Sequence, residues 1–337
     1  MTLKAQTNSI NNSILSTLLE ADQAFVSGNE LAQSLNISRV SIWSHLEKLK
    51  EAGFSFEAIR NRGYRIEKLP EKIHPDLLNI YLRSLNLDLP VIFFDTIDST
   101  NSEAERQLSN KILPPLVVVS NQQTQGRGRH GRSWQSNDPG NLYLSFGFKS
   151  NFSPPLIKSF TPWIAAKLCD SLNQEFNIPI QIKWPNDLIL HGKKISGMLA
   201  ESRIDVDSTR DLIFGIGFNI NGNPQNWPQE LQAIATSLKA QTHQTQNINK
   251  MTASIIHSIL SGYNQFLDNT WQTSLTNLWK KYDSLYDQYV KGFHGTEPIE
   301  GIAKGINEFG ALKLLLNNGS VLLLDIGEIS FSNPIKN

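Results

Sequence analysis

The sequence predicts an α+β chain of three domains: an N-terminal winged helix-turn-helix over residues 1–69, a central α/β domain with a mixed sheet over 70–287, and a small β-barrel over 288–337. Three observations carry this reading. Apolar residues recur at helical spacing through the first fifty positions and give way to two extended runs around an arginine-rich turn. Extended and helical runs then alternate, and short strands broken by glycine and turn residues close the chain. A length of 337 residues exceeds one ordinary domain, and 39% hydrophobic content is enough for more than one core.

Taken in order, residues 8–20 place Ile10, Ile14, Leu15, Leu18 and Leu19 on one helical stripe, and Ser27 with Glu30 has the spacing of a capping box that opens a second helix. A turn at Asn36 to Ser38 opens a third. In it Ile42, Leu46 and Leu49 face inward, leaving Arg39, Ser41, Ser44, His45 and Lys48 outside, and Gly53 ends the helix. Residues 54–69 read as a hairpin around Arg60-Asn61-Arg62-Gly63, with Arg65 beside it. Lysine plus arginine balances aspartate plus glutamate at 31 each, so any basic surface must be local; residues 38–68 carry seven Lys/Arg against four acids. In such a module the outer residues of the third helix face the groove of DNA, and Arg60, Arg62 and Arg65 contact phosphate or the minor groove.

Pro70 and Pro75 mark a boundary, after which a short helix (76–85) precedes an extended run at 91–94. The middle region mixes β-like runs at 116–120, 142–148, 180–184, 188–190, 195–200 and 212–218 with helical runs near 101–109, 162–176 and 250–268. Asn318-Gly319, between Leu314–Leu316 and Val321–Leu324, is a hairpin signal in the terminal domain. The first residues lack an apolar leader core and no stretch approaches the ~18 apolar residues of a membrane span, which places the chain in the cytoplasm, off the membrane. Cys169, the single cysteine, sits among apolar residues at helical spacing and reads as a buried thiol, and no Cys/His cluster suggests a metal site.

The densest segment is Gly126-Arg127-Gly128-Arg129-His130-Gly131-Arg132-Ser133-Trp134, with three arginines and three glycines in nine residues. Glycine lets backbone approach a ligand, and guanidinium forks suit phosphate or carboxylate, so an anion is the expected guest. The segment satisfies G-x-G-x-x-G, but a strand follows it where the dinucleotide fingerprint needs a helix. Clustered like charge on glycines also predicts a loop that is mobile until a ligand supplies opposite charge. Lys183-Trp184-Pro185-Asn186-Asp187-Leu188 joins two apolar runs and by itself is compatible with an ordinary turn. In Lys193-Lys194-Ile195-Ser196-Gly197-Met198-Leu199-Ala200-Glu201, Lys194 enters an apolar strand and could meet a phosphate or carboxylate. Gly215-Ile216-Gly217-Phe218-Asn219 repeats the glycine device, with Asn219 able to donate and accept at once. Thr100-x-x-Glu103 fits a capping box, and Ser99, Thr100 and Asn101 are convergent donors at a helix start.

These segments, DSTN, QTQGRGRHGRSW, KWPNDL, KKISGMLAE, GIGFNIN and ATSL (Ala235–Leu238), occur in the order and spacing of biotin–protein ligases, and the chain resembles the bifunctional class that represses biotin synthesis or uptake genes. The winged helix before them and GEIS (Gly327–Ser330) after them extend the match to nearly the whole chain. The resemblance implies an SH3-like barrel at the C-terminus, biotin and ATP as substrates with Mg²⁺ accompanying ATP, and transfer of biotin to a lysine of a biotin carboxyl carrier protein. It implies that Ser99, Thr100, Asn101 and Gln123 hold the biotin head group, that Arg127, Gly128 and Arg129 wrap its carboxylate and the α-phosphate, and that Lys194 bridges the two anions. It also implies that Trp134 and Asn219 contact adenine and that Asp187 orients Lys183 or a magnesium-bound phosphate. Operator DNA and a homodimer favoured by biotinyl-5'-AMP follow from the same likeness. His130 stands where another arginine is often found, and Phe331 follows GEIS without the basic residue sometimes there. Three other functions fit the motifs less well: a ligase without repressor function, a lipoate-type ligase, and a biotin-sensing transcription factor without catalysis.

Overall fold

The first apolar stripe becomes α1 (Ile10–Glu20), followed by α2 (Gly28–Ser34) and α3 (Arg39–Glu51). The computed structural model describes residues 10–149, 154–205, 208–294, 296–325 and 328–331, so positions 8 and 9 of that stripe and Gly327 of GEIS lie outside the described residues. Serine caps set both later helices: Ser27 Oγ accepts the Glu30 amide at 3.1 Å, and Ser38 Oγ accepts the Ser41 amide at 3.1 Å. Ile14, Leu15, Leu18, Leu31, Ile42, Leu46 and Leu49 close a small core under β1 (Ser55–Ile59) and β2 (Gly63–Lys68), an antiparallel pair. At Gly63, φ is +114° and a Cβ would strike the Val26 carbonyl, whose strand-like bridge to Tyr64 holds the hairpin on the helices.

Helix α4 (Pro75–Ser84) serves two cores: Leu77 packs with the N-terminal cluster, while Leu78 and Leu82 pack into the central one. The segment before it is fastened by two buried asparagines. Asn121 Oδ1 accepts the Ile73 amide at 3.1 Å, and Asn249 Oδ1 accepts the His74 amide at 2.8 Å.

The central sheet contains β3 (Val91–Ile97), β4 (Leu116–Gln123), β5 (Leu142–Lys149), β6 (Gln181–Lys183), β7 (Asp187–Leu190), β8 (Lys193–Asp205) and β9 (Ser208–Phe218) in the order 3-4-5-9-8-7-6. Only β3 and β4 are parallel, joined across α5 (Thr100–Ser109), and the sheet is mixed as expected. Alternation divides its residues. Leu212, Phe214, Ile216 and Phe218 of β9 enter the main core under α6 (Pro154–Phe176) and α9 (Ile248–Leu267). Ile213 instead joins Leu116, Val118 and Ala104 beneath α5. Farther along that second face come Gly215 and Gly217, paired with Leu199 and Gly197 of β8, so three of these four floor positions carry no side chain.

After α7 (Gln229–Ile234), α8 (Leu238–Thr242) and α10 (Gln272–Tyr282), five antiparallel strands form the small C-terminal domain: β10 (Tyr289–His294), β11 (Glu297–Ile306), β12 (Leu312–Leu315), β13 (Val321–Leu324) and β14 (Glu328–Phe331), in the order 13-12-11-10-14. The Asn318-Gly319 turn lies between β12 and β13, with Gly319 at φ +84°. This domain docks on the sheet through Trp184, whose Nε1 donates to the Gly310 carbonyl at 3.0 Å, and Val290, Ala303, Leu312 and Leu314 share the central core. No helix among the described residues is long and apolar enough to cross a membrane.

Candidate active site and DNA-binding surface

The glycine floor opens into a cavity of about 1030 Å³. Ser99, Thr100, Asn101, Gln123, Arg127, Gly128, Arg129, Trp134, Lys183, Asp187, Lys194 and Asn219, which the sequence brings forward from five separate segments, all line it.

At one end, Ser99 is the N-cap residue of α5, yet the Thr100/Glu103 capping box does not form. Gln123, at the end of neighbouring β4, offers a fixed acceptor: its Oε1 takes the Thr100 amide at 2.8 Å and the Thr100 hydroxyl at 3.1 Å. Glu103 turns to Arg106 and Gln107 instead. Arg106 also clamps Asp98 through two hydrogen bonds of 2.9 and 2.8 Å, which holds the Asp98 carboxyl down at about 2 and anchors the turn into α5.

A polar network continues from there. Gln123 Nε2 donates to Ser136 Oγ at 3.0 Å; Ser145 Oγ lies 2.7 Å from Thr100 Oγ1 and also bonds Asn101 Oδ1. Asn101 Nδ2 donates to Glu201 Oε2 at 2.6 Å, and Glu201 pairs with Arg127 at 3.1 Å. The chain of contacts therefore starts just after the glycine-arginine loop, crosses the end of the cavity, and returns to the loop's first arginine.

The loop itself is a short pinched hairpin. Trp134 N donates to the Gly126 carbonyl at 2.9 Å and Gly128 N to the Arg132 carbonyl at 2.7 Å, with His130 left-handed at φ 55° in the turn between them. The strand β5 follows, which fits the rejection of a dinucleotide fingerprint. The sequence reading leaves the loop's charges without partners. The structure supplies them from far along the chain: Glu201 for Arg127, and Asn186, whose Oδ1 accepts from Arg129 at 3.1 Å. Trp134 lies flat on the glycine floor, where a Cβ on Gly217 or Gly197 would enter its indole.

Lys194 Nζ sits 2.7 Å from Asp187 and 5.3 Å from the Trp134 ring centre. Its backbone carbonyl accepts the Thr236 amide at 2.9 Å, and Asn219 Nδ2 donates to the Thr236 carbonyl at 3.1 Å, which explains why ATSL belongs with the strand motifs. Buried Asn186 pins the turn before β7 by donating to the Met198 carbonyl at 2.6 Å. Neither Asn186 nor Glu201 has a role in the sequence reading. The parity of Gly197, Leu199 and Glu201 along β8 is a signal that places Glu201 on the cavity face. Cys169 is buried in the main core, where desolvation pushes its thiol well above the ordinary range, and it takes no part in the cavity.

On the N-terminal module, Arg39, Ser44 and Lys48 are exposed on α3, and Arg60 and Arg62 at the tip of the hairpin. Ser41 is half-buried, as is His45, whose Nδ1 lies 2.7 Å from Asn11 Oδ1 and whose pKa burial lowers. Arg65 pairs with Glu57 at 2.6 Å, and the Arg65 and Arg62 guanidiniums sit over the Phe25 ring at 4.9 and 4.5 Å.

Three family models match the chain. Residues 93–219 match the biotin/lipoate A/B protein ligase family, residues 11–65 a helix-turn-helix domain, and residues 289–332 the biotin protein ligase C-terminal domain. A bifunctional ligase/repressor of Salmonella typhimurium is 30% identical over 313 residues, covering 93% of this chain and 95% of its own. One from Bacillus subtilis is 28% identical over 312 residues, with 93% and 96% covered. Among solved structures, the Aquifex aeolicus biotin protein ligase in complex with biotin and ATP superposes with a TM-score of 0.61 at 26% identity, covering 72% of this chain and 99% of that one. With its helix-turn-helix, ligase domain and C-terminal domain in that order, the chain belongs to the biotin–protein ligase family, in the group of bifunctional ligase/repressors.

Proposed function

We propose that this cavity joins biotin to ATP and hands the biotinyl group to a lysine of a biotin carboxyl carrier protein in the cytoplasm, and that the N-terminal module makes the same chain a biotin-responsive repressor. The observation that carries the ligase reading is the convergence of Arg127, Arg129, Lys183 and Lys194 on a glycine-floored cavity whose other end is lined by neutral donors and acceptors. Ser99, Thr100, Asn101 and Gln123 suit the ureido head of biotin, which needs both. Trp134 offers an aromatic face to adenine, with Asn219 beside it.

A carboxylate oxygen of biotin attacks the α-phosphorus of ATP, the bond to the bridging oxygen of pyrophosphate breaks, and pyrophosphate leaves with that electron pair. The carrier lysine, as the free amine, then attacks the acyl carbon of the mixed anhydride; AMP leaves and the amine loses a proton. Two anions must meet first, and fixed cations in a partly dehydrated site oppose their repulsion and the charge developing at phosphorus. Glu201 pairs with Arg127 and Asp187 with Lys194. The two carboxylates are the protein's own counter-anions for the places the biotin carboxylate and the α-phosphate take. The Asp187 carboxylate on the cavity wall, a hard oxygen ligand, would hold a magnesium ion bound with ATP, which would supply neutralisation of phosphate charge. No nucleophile of the protein is needed.

The test is mass spectrometry of a biotin carboxyl carrier domain incubated with the protein, biotin, ATP and Mg²⁺. Addition of one biotinyl group to one lysine is expected, and an unchanged mass overturns the ligase reading. For the repressor, biotinyl-5'-AMP favours a homodimer that places two modules on operator DNA, so it tightens DNA binding only as far as it favours the dimer. Mobility-shift titrations with and without biotin plus ATP should therefore separate more at low protein concentration, and an operator affinity indifferent to the adenylate at every concentration removes the corepressor role.

A further inference from the structure

We propose that the first half of α3 reads thymine methyl groups through Val40 and Trp43; the inference rests on the DNA-binding reading of the N-terminal module. Ile42, Leu46 and Leu49 fix which side of α3 faces the core. On the other side Val40 is 76% exposed and Trp43 56% exposed. Three residues apart, they are neighbours on the helix surface and form one apolar patch with Ser44 at its edge. A tryptophan and a valine side by side in water lose the burial that such side chains otherwise gain, so this face is one to be covered.

Charge identifies what covers it. Between Ser38 and Leu46 the helix carries Arg39 and no acid; Glu47 begins the acidic positions and is paired with Lys50 at 2.8 Å. Arg39 and Lys48 are exposed on the same helix, and Arg60 is exposed at the tip of the hairpin. A polyanion is the partner such a surface selects. The N-terminal residues of a recognition helix are those that meet base edges, and the one apolar group a base pair presents in the major groove is the thymine C5-methyl. His45 is turned toward Asn11 and half-buried, so apolar residues hold the centre of this surface where the sequence suggests polar ones.

The full chain, with biotin and ATP, is used to select duplexes from a randomised DNA pool. The selected site is then resynthesised with deoxyuridine replacing thymidine one position at a time, which removes only the methyl. Each contacted methyl lost should weaken binding about fourfold. V40A and W43A should bind thymine and uracil duplexes alike at those positions, while unfolding at the wild-type temperature. A selected site that binds equally with uracil throughout, or variants that still discriminate, overturns the inference. So does a change in sedimentation of W43A without DNA, because that means a protein surface covers the patch. Failure to enrich any site removes the DNA-binding reading itself.

Discussion

Strands β8 and β9 show two different kinds of surface on their opposite faces. Toward α6 and α9 they present Leu212, Phe214, Ile216 and Phe218, all buried; toward the cavity they present Gly215, Gly217 and Gly197. The first face stabilises the fold by filling space. The second leaves space and lines it with polar and charged groups. The difference teaches that substitutions separated by one residue on one strand should act on different properties, stability on one side and ligand on the other.

The largest expected effect tests the filled face. Phe214→Ala removes a fully buried ring that packs edge-on against Phe160 at 5.3 Å, and should cost about 3–5 kcal/mol in denaturant unfolding. Loss well under 1 kcal/mol would show that this face is not the core. On the open face, Lys194→Ala should lower adenylate formation about 10²–10³-fold, equivalent to about 2.7–4 kcal/mol, with the unfolding midpoint little changed. Pyrophosphate release near the wild-type rate would break the assignment of Lys194. Gly217→Ala pushes a methyl into the Trp134 indole, whose displacement should weaken ATP binding about tenfold by calorimetry, since overpacking of this kind costs about 1–3 kcal/mol. If biotin alone binds this variant normally, the effect belongs to the nucleotide end of the cavity.

The smallest effect lies on the seam between modules. His74 packs edge-on against Phe54 at 5.1 Å, and burial lowers its pKa, with Asp76 and Asp95 pulling it up and Lys72 pushing it down. Because the folded value lies below the free-histidine value of about 6.5, the unfolded chain takes the proton first on acidification. The stabilisation is complete above that pH and is lost as pH falls through the folded value. Melting curves from neutral pH down to about 5 should show this decline in the wild type and less of it in His74→Gln; identical curves would exclude His74 as the titrating group.

How much of this was legible depended on how local each signal is. The glycine-arginine loop, KWPND and the paired glycines of β9 announce themselves because several unusual residues fall within one short segment. The network that wires them together was hidden, since Glu201 and Asn186 reach the loop only once β7 and β8 have formed. The Thr100 capping box misled for the same reason: Gln123 from the next strand accepts the Thr100 amide that the Glu103 carboxylate would accept in a capping box. A boundary near residue 70 follows from the prolines, but whether α4 belongs before or after it depends on Leu77 and Leu78 facing different cores, which adjacent leucines do not reveal. Helix α10 did carry a readable pattern, Trp271, Leu275 and Trp279 at four-residue spacing, all buried.

The most direct measurement of the central claim is the position of biotinyl-5'-AMP in crystals of the full chain grown with biotin and ATP. The account predicts the bicyclic head among Ser99, Thr100, Asn101 and Gln123, the phosphate between Arg129 and Lys194, and adenine on Trp134 above Gly217. An adenylate bound away from the glycine face, or one that leaves Arg127 on Glu201 and Lys194 on Asp187 without touching either cation, would contradict it.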